Sequence, residues 1–226
     1  MNGIVTHQKA FISLFNHTAR YHKRHRVFED FISCGIIALE NRLRFCQKRE
    51  QKYLNIISRY EKPDVERLAQ LLAHVVDGLD AGPCDFLGSV FMSLEMGDAG
   101  RGQYFTPWDV ASLMAQLQLC DIKAKLQRQP FITLNESACG SGCMVLAFAN
   151  ALREAGLSPH RHLWVSATDV DPLAAGMAYI QLSLCGIAGE VVIGNSLANE
   201  RRRVLHTPVH YFENWPVRLN GRVQAA

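Results

Sequence analysis

Thr133-Leu134-Asn135-Glu136-Ser137-Ala138-Cys139-Gly140-Ser141-Gly142 is the stretch on which the reading of this chain turns. Phe131-Ile132-Thr133-Leu134 is a short β-branched and apolar run, which reads as a buried strand. Glu136 stands at its end, ahead of a turn holding Gly140 and Gly142. From Cys143 to Leu152 almost every residue is apolar, which predicts a buried helix. Strand, glycine turn and helix in that order let backbone approach a ligand at a helix N-terminus. A glycine pair also suits any tight βα turn, so the neighbouring sequence has to decide.

The following segment repeats the pattern. Leu163-Trp164-Val165-Ser166-Ala167-Thr168 reads as a second strand that closes on Asp169-Val170-Asp171-Pro172. Asp171 is a good N-cap and Pro172 a good first helical residue. Leu173, Met177, Ile180 and Leu184 give the helix an apolar stripe, which stops near Gly186. A third strand, Glu190-Val191-Val192-Ile193, ends at Gly194-Asn195-Ser196. Three βα-type units with polar residues at each strand's C-terminal end define a nucleotide-like crevice. Asp169 is placed to accept hydrogen bonds from ribose hydroxyls, and Asn195 to bond an adenine edge.

Upstream lies Gly102-Gln103-Tyr104-Phe105-Thr106-Pro107-Trp108-Asp109. Thr106 and Asp109 have capping-box spacing, with Pro107 at the first helical position. Val110, Leu113, Met114 and Leu117 then recur at helical spacing, the pattern of a core-facing stripe.

These elements, in this order, resemble the modification subunits of type I restriction systems, the N6-adenine DNA methyltransferases. Gln103-Tyr104-Phe105-Thr106-Pro107 looks like the family motif that holds the methionine end of S-adenosylmethionine. Glu136-Ser137-Ala138-Cys139-Gly140-Ser141-Gly142 is similar to the acidic, glycine-rich cofactor loop. Asp169-Val170-Asp171-Pro172 resembles the ribose-binding turn, and Gly194-Asn195-Ser196-Leu197 the stretch near the cofactor adenine. The resemblance runs from about Cys84 to Leu197. It implies an α/β, Rossmann-like S-adenosylmethionine-dependent methyltransferase fold with an abbreviated sheet, preceded by a helical N-terminal domain. S-adenosylmethionine is then the expected cofactor. The implied contacts are Gln103, Tyr104, Phe105, Thr106, Pro107, Glu136, Ala138, Cys139, Gly140, Gly142, Asp169, Val170 and Asn195.

The family's catalytic motif is Asn-Pro-Pro-Tyr or Asn-Pro-Pro-Phe, whose Asn holds the target amino group while the aromatic stacks on the flipped base. Neither Asn-Pro-Pro nor Asp-Pro-Pro occurs in these 226 residues. His206-Thr207-Pro208 stands near the expected place without the paired acceptors or the stacking ring, so no catalytic residue is assigned. The family's sheet has seven strands, whereas the sequence from Gly102 onward accommodates three or four. One side of the first strand is therefore expected to need covering. The candidates are Val209 to Phe212, the N-terminal helices, a second copy of the chain in a homodimer, or a partner subunit.

Composition points to a soluble, cytoplasmic protein: 48% of residues are hydrophobic and 20% charged, ample for a core with a helical appendage. No apolar run approaches the roughly 20 residues of a membrane span. The seven cysteines include no Cys-x-x-Cys, which argues for reduced thiols, and Cys139 and Cys143 lack the further ligands a metal would need. Charge is uneven: residues 1–60 hold 11 Lys/Arg against 4 Asp/Glu, in a chain of net charge +3. Lys23, Arg24 and Arg26 are the candidate phosphate contacts to DNA. An ordinary solvated helix face is the alternative, because Phe28, Phe31, Ile32 and Ile36 supply a matching apolar stripe.

The expected organisation is a basic helical domain over residues 1–97 and a cofactor-binding domain over 98–226, joined at Gly97 to Gly102. Helices are expected near 8–20, 27–47, 49–60, 64–79 and 84–96, and residues 213–226 show no periodicity. The function so read is S-adenosylmethionine binding with methyl transfer to adenine N6 in DNA. The rival is a cofactor-binding pseudo-methyltransferase that serves as a regulatory or partner subunit. A methyltransferase for a small molecule or protein is a third possibility.

Overall fold

A computed structural model describes residues 2–96 and 105–224, in two compact units, Met1–Phe105 and Thr106–Ala226. The expected linker, Gly97 to Gly102, lies outside the described residues.

The first unit is helical: α1 (Asn2–His17), α2 (Arg24–Leu43), α3 (Gln47–Ile57), α4 (Lys62–Asp80) and α5 (Phe86–Ser93). Its core is aromatic. Phe11, Phe15, Phe28, Phe31, Phe86 and Phe91 are all buried; Phe11 and Phe15 stack, and the other ring pairs among them meet edge-on or tilted, as with Phe28 and Phe91 at 5.4 Å between centroids. Such pairs add stability beyond simple burial. Buried Asp30 accepts hydrogen bonds from Tyr60 Oη (2.8 Å), Arg26 (3.1 Å) and Arg59 (3.2 Å), which satisfies a carboxylate that burial would otherwise penalise.

The second unit runs α6 (Trp108–Leu126), β1 (Ile132–Glu136), α7 (Cys143–Glu154), α8 (Pro159–His162), β2 (Leu163–Asp169), α9 (Pro172–Leu184), β3 (Ala188–Asn195), β4 (Glu200–His206), α10 (Pro208–Phe212) and α11 (Trp215–Gln224). The sheet order is β1-β2-β3-β4, with β1, β2 and β3 parallel and β4 antiparallel to β3. Three parallel strands joined by two helical crossovers form a Rossmann-like arrangement with an abbreviated sheet. β3 is buried almost throughout, as a strand covered on both faces should be. The Trp164 and Ala188 side of the sheet is sealed by Trp215, itself fully buried against Phe131 and Ala188.

Several expectations need correction. Residues 213–226 show no periodicity that would predict an element, yet Trp215–Gln224 is a helix. Burial of Trp215 and the bond from its indole N–H to the His160 carbonyl (3.1 Å) anchor that segment, and no local periodicity reveals either. Val209 to Phe212 does not pair with β1 but forms α10. Arg201 to Arg203 lie in β4, where Arg201 pairs with Glu190 at 2.7 Å. The capping box at Thr106 does not form; Pro107 is the N-cap of α6 and makes no side-chain cap.

The apolar stripe of α6 differs most. Val110, Leu113, Met114 and Leu117 are exposed, Leu117 by 75%, while Ala111, Ala115 and Ile122 are buried. The helix packs against α7, and what it buries is small apart from Ile122. Periodicity locates an apolar face but does not say whether this chain covers it.

Candidate functional site

The site is assembled at the C-terminal ends of β1, β2 and β3. The glycine loop follows β1, and its backbone is tied to the end of β2. Cys139 N–H donates to the Thr168 carbonyl (2.8 Å), and Gly140 N–H donates to Asp169 Oδ2 (2.8 Å). The other carboxylate oxygen, Oδ1, accepts from Asp171 N–H at 2.9 Å. Asp169 therefore grips both the loop and its own turn. Burial pushes its carboxyl up from the ordinary value, against the backbone amides of Asp171 and Gly140, which favour the ionised form.

The two loop glycines have different tasks. Gly140, at φ 54°, turns its amide toward Asp169. Gly142 is the N-cap of α7 at φ 95°, and a Cβ there would meet Ala178 of α9 at 3.3 Å. Left-handed backbone and contact with α9 are each enough to require glycine here. Gln181 of α9 completes the brace by donating from Nε2 to the Ser141 carbonyl (2.8 Å). The sequence reading misses this buried residue, for which one polar residue inside an apolar helix is the available signal.

Asp171 caps α9 as expected, accepting from Leu173 N–H at 3.0 Å. Glu136 accepts from Ala138 N–H at 3.3 Å and shapes the loop's first turn. Asn195 ends β3 and accepts from Leu197 N–H (3.0 Å) and Ala198 N–H (3.3 Å). Its carbonyl oxygen is thereby engaged by its own turn. Val170 and Leu197 are exposed aliphatic side chains beside these turns. Cys139 is buried, and desolvation followed by the charges of Asp169 and Glu136 raises its thiol far above the ordinary range, so it acts as a small apolar residue.

The upstream motif is divided. Gln103 and Tyr104 lie outside the described residues. Phe105 belongs to the first unit, its ring 5.7 Å from that of Phe91, whereas Thr106 and Pro107 lead into α6 of the second.

The basic candidates are also divided. The Arg24 guanidinium donates to the carbonyls of Phe15 (2.8 Å), Thr18 (2.7 Å) and Ala19 (2.7 Å), closing the C-terminal end of α1. Arg26 pairs with Asp30, and Lys23 is exposed at the N-cap of α2.

A second polar cluster lies at the N-terminal half of β3. Glu190 accepts from Ser166 Oγ (3.0 Å) and from Arg201 (2.7 Å), and His206 Nε2 approaches it to 3.8 Å. His210, buried on α10, accepts from the Trp164 indole N–H at 3.1 Å. Desolvation, then the neighbouring His206, lowers its pKa to about 4. Its ring stands 4.4 Å from that of His206. The sequence offers His206 only as a substitute clamp; in the structure it is joined to Glu190 and to α10.

Comparison with known proteins adds the following. A family model described as N-6 DNA methylase matches residues 90–214, more than half of the chain. No match was found among curated protein sequences. A solved structure from Listeria monocytogenes, described as a class I S-adenosylmethionine-dependent methyltransferase, shares 16% identity with a TM-score of 0.47. That alignment covers 86% of this chain and 55% of the other, so the chain spans little more than half the length of the protein it matches.

Proposed function

The chain belongs to the N-6 DNA methylase family, and from that premise we propose that it binds S-adenosylmethionine in the crevice above β1, β2 and β3. One observation carries the reading: the Asp169 carboxylate stands at the end of β2, holding the glycine loop through Gly140. A carboxylate so fixed retains lone pairs to accept from two ribose hydroxyls. Val170 and Leu197 offer an apolar face to a flat base, and the amide nitrogen of Asn195 can donate to its edge. The N-terminus of α7, headed by Gly142 without a side-chain cap, favours a carboxylate or another anionic group. Phe105, Thr106 and Pro107, with Gln103 and Tyr104, are assigned to the methionine end. When bound, the cofactor supplies an electrophilic methyl group on sulfonium.

The substrate in this reading is DNA and the target adenine N6, as the family name indicates. Without an Asn-Pro-Pro motif in these residues, the chain supplies the cofactor half of such a site, and a partner subunit or second copy supplies the rest. The edge of β1, unpaired among the described residues, and the exposed stripe of α6 support this, since surfaces of these kinds commonly pair with another chain. The alternative role, a cofactor-binding regulatory subunit, follows if methyl transfer never occurs. Titration calorimetry with S-adenosylmethionine, alongside labelled-methyl transfer to plasmid DNA, tests both. Absence of cofactor binding by the folded chain would remove the proposal, whereas binding without transfer selects the regulatory role.

Phosphate contact by the N-terminal unit is part of the same proposal, with Lys23 the exposed member of the three candidates. Arg24 ties α2 to the end of α1 and Arg26 pairs with buried Asp30 within α2, so replacing them would confound a DNA-binding test. Lys23→Ala combined with Lys48→Ala and Lys52→Ala, all exposed lysines, is the cleaner variant. Its log–log salt dependence of DNA binding should become shallower by about 0.9 for each phosphate that these lysines neutralise.

A further inference from the structure

Helices α1 and α4 pack antiparallel, with Gly3 opposite Ala81 and His7 opposite His74. Among the described residues, one set of three metal-type donors comes together there: His7 of α1 with His74 and Asp77 of α4. His74 and Asp77 are three residues apart and so share one face of α4. The Nδ1 atoms of His7 and His74 face each other at 3.4 Å, and His7 Nδ1 lies 3.9 Å from Asp77 Oδ2.

These separations decide the reading. A good hydrogen bond between two ring nitrogens would be shorter, at about 2.7–3.2 Å. Two nitrogens bound to one tetrahedral zinc at about 2.0–2.1 Å stand about 3.3–3.4 Å apart, by the geometry of the tetrahedron. The His7–His74 separation matches that edge. The Asp77 separation is a few tenths of an ångström too long, and its side chain, 57% exposed, is free to turn inward. The donor set, two imidazoles and one carboxylate, suits zinc or a neighbouring divalent transition metal.

We propose that His7, His74 and Asp77 form a zinc site that ties α1 to α4, with water in the fourth position. This inference concerns the helical unit alone and is independent of the cofactor reading. His7 and His74 stand 67 residues apart in sequence, so bound metal should hold α1 against α4.

The test is calorimetric titration of the full chain with zinc, repeated with His7→Ala, His74→Ala and Asp77→Asn. The same proteins should be examined with cobalt, whose visible d–d bands report coordination. The expected result is one zinc per chain, tetrahedral-type cobalt bands, and a zinc-dependent rise in melting temperature. Each His variant should lose these signals, and Asp77→Asn should weaken binding by about tenfold or more. All three residues are partly exposed, so folding should survive, which circular dichroism can check. Failure of the wild type to bind zinc one-to-one would overturn the proposal. Unchanged binding by His7→Ala or His74→Ala would do the same, by placing the metal on other histidines.

Discussion

At one end of the sheet, β4 runs antiparallel to β3 and puts Glu200, Arg201 and Arg202 into solvent, while at the other, β1 forms a parallel edge flanked by α6 with its apolar stripe exposed. The β4 end is finished by local means. Gly194 allows the tight β3–β4 turn, because a Cβ there would strike the Glu200 carbonyl, and charged residues along an edge strand discourage further pairing. The chain then returns through α10 and α11 to seal the Trp164 side with Trp215. At the β1 end, among the described residues, no strand pairs with the outer edge. The contrast is between a flank that this chain finishes itself and a flank whose outer strand edge is unpaired among the described residues. Substitutions at the sealed flank should cost folding, and those at the open flank should cost association.

The largest effect is expected at the sealed flank. Trp215→Ala removes a fully buried ring and should destabilise the unit by about 3–5 kcal/mol, read from chemical denaturation. A loss below about 1 kcal/mol would mean that α11 is not a structural seal.

Gly142→Val combines strain at positive φ with overlap on Ala178, and should cost about 2–4 kcal/mol of stability whether or not cofactor is present. A stable variant that has lost only cofactor affinity would return Gly142 to the ligand.

Asp169→Ala should weaken S-adenosylmethionine binding by about 1.5–3 kcal/mol and also loosen the glycine loop, which loses its acceptor for Gly140. Calorimetry with amide exchange at Gly140 separates the two effects. Unchanged affinity would leave Asp169 a purely structural tie.

His210 gives the sealed flank a pH dependence that the open flank should lack. Its folded pKa is about 4 against an ordinary 6.5, so between those values the unfolded chain binds more protons. Stability should therefore fall as pH drops through that window, by about 1–2 kcal/mol once screening is allowed for. His210→Gln should flatten the curve; an equally steep curve in that variant would assign the dependence elsewhere.

The smallest stability change belongs to the open flank. Leu117→Glu should alter stability by no more than about 0.5 kcal/mol, since the side chain is already exposed. It should nonetheless shift sedimentation toward monomer, or abolish capture of a partner subunit. A wild type that remains monomeric at every concentration and binds no partner would remove the asymmetry between the flanks.

Much of the site was legible because its determinants are local. Asp171 and Pro172 start α9 by capping and fixed φ, effects that act within three residues. The glycine turn between an apolar strand and an apolar helix likewise follows from neighbours in sequence. What escaped depends on distant partners: Gln181 reaching Ser141, Arg201 meeting Glu190, and Trp164 meeting His210. Each polar residue had several possible mates, and only the packing of strands, helices and loops against one another chose between them.

The amino-acid sequence by itself determined the succession of βα units, the glycine loop with its acidic companions, and the basic bias of residues 1–60. Spacing and local backbone preference are sufficient for those features. The tertiary structure alone decided that Gly142 packs against α9, that Arg24 ties α2 to the end of α1, and that Trp215 at the head of α11 is buried against Phe131 and Ala188. It also decided which apolar stripe faces a core and which faces solvent. A periodic pattern states that a face wants cover, but whether the same chain supplies it depends on contacts that the pattern does not contain.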